Sequence, residues 1–404
     1  IPEIVWDDVA FLQYTSGSTG SPKGVEITHD CLIHHCKALT DAWGYTENSI
    51  SVTWMPHFHD YGLIDGLLMP FFNRTPCYIL SPVGFIKRPH RWLQALSGLG
   101  GTHTQAPNFA YAYCSNKIKP GQVAGLDLSK VEVFSNGAEP VRDTTLRVFF
   151  ETFKDSGLRR TALFPAYGLA EATLVVSTKR RLQNPRAISV DKATFDRDGQ
   201  INIVKSGKGK NIVSCGKPLS GTEVKIVEPQ ALLELKAGEI GEIWVRSNAN
   251  AIGYWNRPEE TREIFQARIS GTAGSDEYLR TGDLGFLLDG ELYPTGRIKD
   301  LLILNGANIY PQDIEELIST SISEVRFGAT AAFTNGGEDT DELVFMAEVS
   351  RPEHAHNETA AKICSLISQE LQFPPATIVL IAKGGIQKTS SGKIQRSLCR
   401  QMWL

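Results

Sequence analysis

From Val9 to about Val176, short β-branched runs alternate with longer stretches whose apolar residues recur at helical spacing. Ala10–Tyr14 reads as a strand, and His29–Trp43 as a helix opened by Thr28. Ile50–Met55 is strand-like, Tyr61–Phe72 helix-like and Thr75–Leu80 again a strand. Arg88-Pro89-His90 starts a helix through Leu99, with proline in its first turn. Val131–Phe134 follows as a strand, then a helix over Arg142–Lys154 that ends near Gly157. This alternation predicts a mostly parallel sheet covered by helices, and strand–loop junctions are where such sheets bind ligands.

Beyond Leu174 the texture changes. Thr178–Val213 is polar and basic, with Lys179-Arg180-Arg181 and Lys205 to Lys210 reading as solvated loops open to an acidic partner. Thr222–Arg246 alternates like strands, with turns at Glu228-Pro229 and Gly238/Gly241, which predicts a β subdomain. After Arg297 a smaller α+β unit is expected, with helices at Ile314–Ile322 and Glu358–Leu371 and strands near Ala329–Phe333 and Leu343–Val349. The natural boundary falls near Arg297–Asp300.

Composition narrows the class. The 404 residues exceed one ordinary domain, and 42% hydrophobic with 21% charged residues is globular rather than disordered. A net charge of −4 argues against a dedicated nucleic-acid binder. No apolar run approaches the roughly 20 residues that span a bilayer. Ile1-Pro2-Glu3 does not open a signal peptide. Seven scattered cysteines fit reduced thiols, so a soluble, cytoplasmic protein is expected.

The candidate chemistry begins at Thr15-Ser16-Gly17-Ser18-Thr19-Gly20-Ser21-Pro22-Lys23-Gly24, directly after a predicted strand. Glycines let the backbone turn its N–H groups toward an anion, and hydroxyls with a lysine add donors. Gly20 and Lys23 are not adjacent, so this is not the Walker pattern. Taken alone the run also reads as a flexible Ser/Gly loop; its order and the motifs that follow decide for a phosphate cradle. His57-Phe58-His59 admits a metal pair, but no cysteine or acid at metal spacing accompanies it. His34-His35-Cys36 reads as part of the first helix.

The loop resembles the phosphate loop of the adenylate-forming superfamily, which includes acyl-CoA synthetases and nonribosomal adenylation domains. Trp54 to Leu63 resembles the aliphatic substrate motif, and Asn136-Gly137-Ala138-Glu139-Pro140 the adenine-side loop. Ala166 precedes Tyr167-Gly168-Leu169-Ala170-Glu171-Ala172-Thr173, which resembles the adenine-stacking and magnesium motif. Tyr278 to Asp283 and Gly296 to Asp300 are similar to the ribose-binding and hinge motifs, and Lys388 to Lys393 to the catalytic-lysine motif. The likeness runs from Phe11 to Arg396.

The resemblance implies a large adenylation domain over 1–296, a hinge at 297–300, and a small α+β domain over 301–404. It implies ATP and Mg2+ as cofactors: nucleotide on residues 15–20, Lys23, residues 136–139 and 166–169, Asp283 and Arg297, and magnesium on Glu171. Each group also suits its role chemically. Asp283 can accept from both ribose hydroxyls, Tyr167 offers a flat apolar face, Glu171 a hard oxygen and Arg297 an always-charged fork. In isolation these residues would pass for a turn aspartate, a core tyrosine, a solvated glutamate and a surface ion pair. Lys393, from the small domain, would neutralise charge as a carboxylate attacks the α-phosphorus. His59, Asp60, Gln105 and Pro107 would meet the fatty acid, with Gln105 expected to limit chain length.

Three features resemble fatty acyl-AMP ligases more than acyl-CoA synthetases. They are the run His59 to Gly66, Pro107-Asn108-Phe109-Ala110-Tyr111 followed by Asn136 to Arg142, and the 45 positions separating Glu171 from Gly216. In that branch the extra segment packs on the large domain, and the acyl group passes to the phosphopantetheine arm of an acyl carrier protein, often for polyketide or lipopeptide synthesis. Two departures stand out. Gln387 replaces the usual proline, and the phosphate loop lies near the start of the chain, which is expected to lack an amino-terminal subdomain. An acyl-CoA synthetase and a non-catalytic nucleotide- or carrier-binding module remain the alternatives.

Overall fold

The computed structural model describes residues 3–15, 22–205, 209–271, 276–304, 307–335, 342–350, 356–371, 374–375, 377–389 and 392–404. Two compact units divide the chain. The larger holds Pro22–Lys192 and Gln200–Thr295 with the strand before them, and the smaller holds Ala193–Gly199 and Gly296–Leu404.

The larger unit opens on an antiparallel pair, β1 (Val9–Thr15) and β2 (Lys23–Thr28), with Thr15 opposite Lys23. The helix His29–Trp43 follows as expected. The Thr28 hydroxyl accepts the Cys31 amide at 3.2 Å, and Gly44 closes the helix in the left-handed region at φ 67°. Its buried stripe is Cys31, His35, Cys36, Leu39 and Trp43, which is why the residues around His35 belong to packing.

The central sheet is built from β3 (Ser51–Thr53), β4 (Cys77–Ile79), β5 (His103–Pro107), β6 (Val133–Gly137), β7 (Leu163–Gly168), β8 (Val175–Thr178) and β11 (Lys217–Pro218). Its order is β11-β8-β7-β6-β5-β3-β4. Strands β4, β3, β5, β6 and β7 run parallel, while β8 and β11 extend the sheet antiparallel. Parallel neighbours need crossovers, which helical segments supply, among them His90–Leu99, Asn108–Lys117 and Asp143–Phe153. Trp92, Tyr111, Phe134 and Phe149 are fully buried and meet edge to face, with Tyr111 and Phe149 5.0 Å apart. This is the α/β fold expected of an adenylate-forming enzyme.

Between β9 (Ala187–Val190) and β10 (Lys210–Val213), an antiparallel pair, lies the helix Lys192–Asp198. A second sheet, β12 (Thr222–Val227), β13 (Gly241–Ser247), β14 (Leu279–Leu288) and β15 (Glu291–Arg297), is the β subdomain. In the smaller unit, β16 (Leu302–Leu304) pairs with β17 (Ala307–Ile309). Strands β18 (Val325–Thr334), β19 (Leu343–Val349) and β20 (Thr377–Ile381) form a three-stranded sheet against Pro311–Ser321 and His356–Leu371. Ile318, Phe345, Ile363 and Ile367 fill its core at 0% exposure.

The structure departs from expectation at several places. Tyr61–Phe72 is helical, but Tyr61–Leu68 winds as a π-helix before Met69–Phe72 tightens to α. Gly62 is needed there, because a Cβ would strike the Pro56 carbonyl. The expected strand Val131–Phe134 starts at Val133 and runs on to Gly137, taking Asn136 and Gly137 of the adenine-side run with it.

Lys179 is not solvated. It continues β8 into the interior, 6% exposed, with Nζ 3.5 Å from the centre of the Phe164 ring and donating to the Thr161 carbonyl at 2.7 Å. Burial pushes its pKa down to about 7. Lys210 opens β10 rather than ending a loop, and residues 206–208 lie outside the described set.

Candidate active site

The parallel strands end together. Pro107 on β5 pairs with Gly137 on β6, and Asn136 with Pro165 on β7, so residues 136–139 and 166–169 share the carboxyl edge where open α/β sheets bind ligands. Asn136 is fully buried, and its Oδ1 has no hydrogen-bond partner among the described residues, although Nδ2 donates to Asn108 at 3.3 Å. Ala138 sits at φ 65°, an uncommon conformation for a residue with a side chain. The Glu139 carboxylate turns back to accept the Phe109 amide in the first turn of Asn108–Lys117, which Pro107 precedes as N-cap. A Cβ on Gly168 would collide with the Leu174 carbonyl, so only glycine lets β7 turn this tightly.

Tyr167 and Asp283 meet. The phenol donates to Asp283 Oδ2 at 2.8 Å, across 116 residues of chain. Both side chains are buried, and Ala166 lies beneath the turn at 6% exposure. The turn carrying Asp283 is anchored by Glu242, a residue the sequence reading missed. Glu242 is 2% exposed. Its Oε2 accepts from Arg280 Nε at 3.0 Å, Arg280 Nη2 at 2.8 Å and Trp244 Nε1 at 3.0 Å, and its Oε1 from the Gly282 amide at 3.1 Å. Thr281 completes the turn, its hydroxyl donating to Ile243 O at 2.7 Å and accepting the Asp283 amide at 3.1 Å.

Glu171 lies in the 3-10 turn Ala170–Ala172, beyond Leu169. Its Oε1 accepts the Tyr254 hydroxyl at 2.7 Å, and its carbonyl accepts the Ala251 amide at 2.9 Å. The next turn is strained. Thr173 stands at φ 65°, ψ −59°, and the Leu174 amide donates to Ala172 O at 2.8 Å, a γ-turn of the rare positive-φ kind. Thr173 is fully buried, with its hydroxyl on the Ala249 carbonyl. Lys23 lies 4.8 Å from the centre of the same Tyr254 ring and forms an ion pair with Glu260. Ser16, Gly17, Ser18, Thr19 and Gly20, the loop between Thr15 and Lys23, lie outside the described residues.

His59 and Asp60 sit in the turn between β3 and the π-helix, not on a strand. His59 Nδ1 lies 2.6 Å from Asp60 Oδ1, which also accepts the Tyr61 amide at 2.6 Å. The Tyr61 amide also donates to His59 Nδ1 at 3.1 Å, so both side chains are fixed at the start of the π-helix. Among the described residues no group of three or more His, Cys, Asp or Glu could hold a metal ion. A mainly apolar pocket of about 190 Å³ adjoins this turn, lined in part by Thr53, Met55, Phe58, Leu67 and Leu80. Gln105 does not line it. The Gln105 side chain is 2% exposed and donates to Thr53 Oγ1 at 2.8 Å and Tyr61 O at 3.3 Å.

In the smaller unit, Arg297 ends β15 with an exposed side chain. Lys393 is tied to Thr389 through its backbone. The Thr389 amide donates to Lys393 O at 2.8 Å, and the Lys393 amide to the Thr389 hydroxyl at 3.1 Å. Arg396, three residues on, is a half-buried anchor. It reaches Glu315 at 2.8 and 2.7 Å and Asp300 at 2.7 Å, and these two carboxylates hold its pKa above the ordinary arginine value.

Residues 1–255 match the family described as AMP-binding enzyme. The medium-chain-fatty-acid–acyl-carrier-protein ligase JamA of Moorena producens is 46% identical over 409 residues, covering 100% of this chain and 69% of that protein. The corresponding ligase TtuA of Teredinibacter turnerae is 37% identical, covering 98% of this chain and 63% of that protein. This chain therefore spans about two thirds of the length of those relatives. A solved structure from a study of fatty acyl-adenylate ligases of E. coli and L. pneumophila superposes with a TM-score of 0.91 at 31% identity, covering 100% of this chain and 71% of that one. The chain belongs to the AMP-binding enzyme family, and its similarity within that family runs to fatty acyl-AMP ligases.

Proposed function

We propose that this protein activates a fatty acid with ATP and passes the acyl group to the phosphopantetheine thiol of an acyl carrier protein. In the first step a carboxylate oxygen bonds to the α-phosphorus, the α–β bridging P–O bond breaks and pyrophosphate leaves. In the second the thiol sulfur bonds to the acyl carbon, the carbon–oxygen bond to AMP breaks, and the thiol proton is released.

The observation that carries the reading is the convergence of Gly137 on β6, Tyr167 on β7, Glu171 in the 3-10 turn that follows β7 and Asp283 on β14 at the carboxyl edge of the central sheet. The residues fit a nucleotide. Asn136 Oδ1 is a buried acceptor that lacks a donor among the described residues, and Asp283 is oriented by Tyr167. Glu171 with substrate phosphates matches the one or two carboxylates by which magnesium is usually bound, and the ion would supply charge neutralisation on the phosphates. Lys23 and Lys393 supply further positive charge, and Arg297 a fork for ribose or phosphate. Residues 297–300 are read as the hinge of a catalytic-lysine domain over 301–404. The pocket beside His59 is large and apolar enough to take part of an acyl chain. No helix among the described residues is long and apolar enough to cross a membrane, in keeping with a cytoplasmic carrier-protein partner.

The test is mass spectrometry of products after mixing protein, ATP, magnesium and dodecanoate with either CoA or a phosphopantetheinylated carrier protein. Acyl-AMP with acyl carrier protein thioester is expected. Acyl-CoA as the main product would favour a CoA ligase. Absence of pyrophosphate release would leave a binding module.

A further inference from the structure

The Lys23 ammonium is held by a carboxylate that none of the nucleotide-binding motifs contains. Glu260 lies in the first turn of the helix Pro258–Phe265, which contributes no buried residue to the core. Acids are common in a first helical turn because they complement the helix dipole, and that alone would explain nothing further. Glu260 differs from its neighbour Glu259 in what it touches. One carboxylate oxygen, Oε2, pairs with Lys23, and the other, Oε1, accepts from Arg257 Nη1 at 2.7 Å. These two cations, Lys23 first, draw its pKa below the usual carboxylate range.

Two further features make this more than a surface ion pair. Lys23 and Glu260 side chains are 28% and 34% exposed, so the pair is open to an incoming anion. Lys23 also lies over the ring of Tyr254, whose hydroxyl is bonded to Glu171. A single tyrosine thus carries the lysine on its face and the proposed magnesium carboxylate at its tip, and a metal-bound polyphosphate would need both.

We propose that Glu260 is a counter-anion that trades places with pyrophosphate on Lys23. It holds the lysine when no polyphosphate is bound, yields it on binding and reclaims it as pyrophosphate leaves. Arg257 makes the exchange feasible, because Glu260 keeps a cation when Lys23 moves away. The inference rests on the adenylation reading above and adds to it a residue that weakens product binding. Glu260 is a positioning residue, acting through Lys23.

The experiment is calorimetric titration of magnesium pyrophosphate and magnesium ATP into the full chain and into Glu260→Gln, Glu260→Asp and Glu259→Gln. Loss of an exposed competing pair is expected to tighten pyrophosphate binding about two- to five-fold in Glu260→Gln. Glu260→Asp, with the same charge on a shorter arm, is expected to move in the same direction. Glu259→Gln, one fewer charge on the same turn, is expected to leave affinity unchanged. A merely structural role for Glu260 would weaken binding, not tighten it. Equal tightening in Glu260→Gln and Glu259→Gln would reduce the effect to net charge and overturn the exchange. So would unchanged or weaker binding in Glu260→Gln with a parent that binds both ligands. A parent chain that binds neither ligand would overturn the adenylation reading itself.

Discussion

Glu242→Gln isolates the anchor of the Asp283 turn. The substitution keeps shape and volume but replaces a carboxylate that accepts four hydrogen bonds, three on Oε2 and one on Oε1. An amide has one acceptor oxygen. With that oxygen facing Arg280 and Trp244, its NH2 must face the Gly282 amide, donor against donor. Removing one partner of a buried ion pair costs about 3–5 kcal/mol, because the remaining charge is left uncompensated. The Arg280 side chain is 23% exposed and its guanidinium lies 5.5 Å from the Trp244 ring, so water and the ring recover part of that loss. A net destabilisation of about 2–3 kcal/mol follows. Urea unfolding followed by tryptophan fluorescence would report it, since Trp244 is itself a partner of the carboxylate. AMP binding should weaken as the turn bearing Asp283 loosens. Arg280→Gln should cost a similar amount, and the double variant much less than the sum. A loss below about 0.5 kcal/mol, or strict additivity with Arg280→Gln, would refute the clamp.

Other expectations follow from buried charge. The Lys179 pKa, about 7 in the fold against 10.5 unfolded, means its burial penalty is full below pH 7 and fades as pH rises toward 10.5. Lys179→Met should therefore stabilise the protein by about 2 kcal/mol at pH 6.5, after the lost hydrogen bond to Thr161 is set against it, and much less at pH 10, by thermal melts. His35 is fully buried and its pKa falls from 6.5 to about 4, so the folded state resists protonation and loses stability as pH drops from 6.5 to 4. That loss is about 3 kcal/mol, and His35→Leu should flatten the acid limb of a stability–pH curve. Lys393→Ala is expected to lower acyl-adenylate formation about 10²–10³-fold, as for removal of one oxyanion donor, and wild-type turnover in pyrophosphate release would sink its assignment.

Local order was legible in the residues; long-range polar order was not. Thr28, the apolar stripe and Gly44 mark the helix His29–Trp43 at both ends, because capping and periodicity act over a few residues. The π-helix Tyr61–Leu68 escapes such reading, since an apolar run specifies burial but not the winding of the backbone. Lys179 misled for a related reason. A lysine beside Arg180 and Arg181 looks solvated, and it takes the Phe164 ring with the Thr161 and Arg180 carbonyls to make a buried amine tolerable. In the site, Tyr167, Glu171 and Asp283 were reached through motif order, while Glu242, Tyr254 and Glu260 were not. Their contacts to Arg280, Glu171 and Lys23 span tens to hundreds of residues, a distance over which no sequence period operates.

The γ-turn at Thr173 sets protein engineering against function. A β-branched residue at φ 65° is held there only because its neighbours over-determine it, at a local cost of about 1–3 kcal/mol. A thermostability screen would therefore favour glycine at position 173, which lacks the Cβ that makes this conformation costly. That change would remove the Thr173 side chain, two residues downstream of Glu171, whose hydroxyl ties the turn to the Ala249 carbonyl. A more heat-resistant variant would thus present its carboxylate over a wider range of orientations, and melting temperature would be a poor guide in selecting a better catalyst.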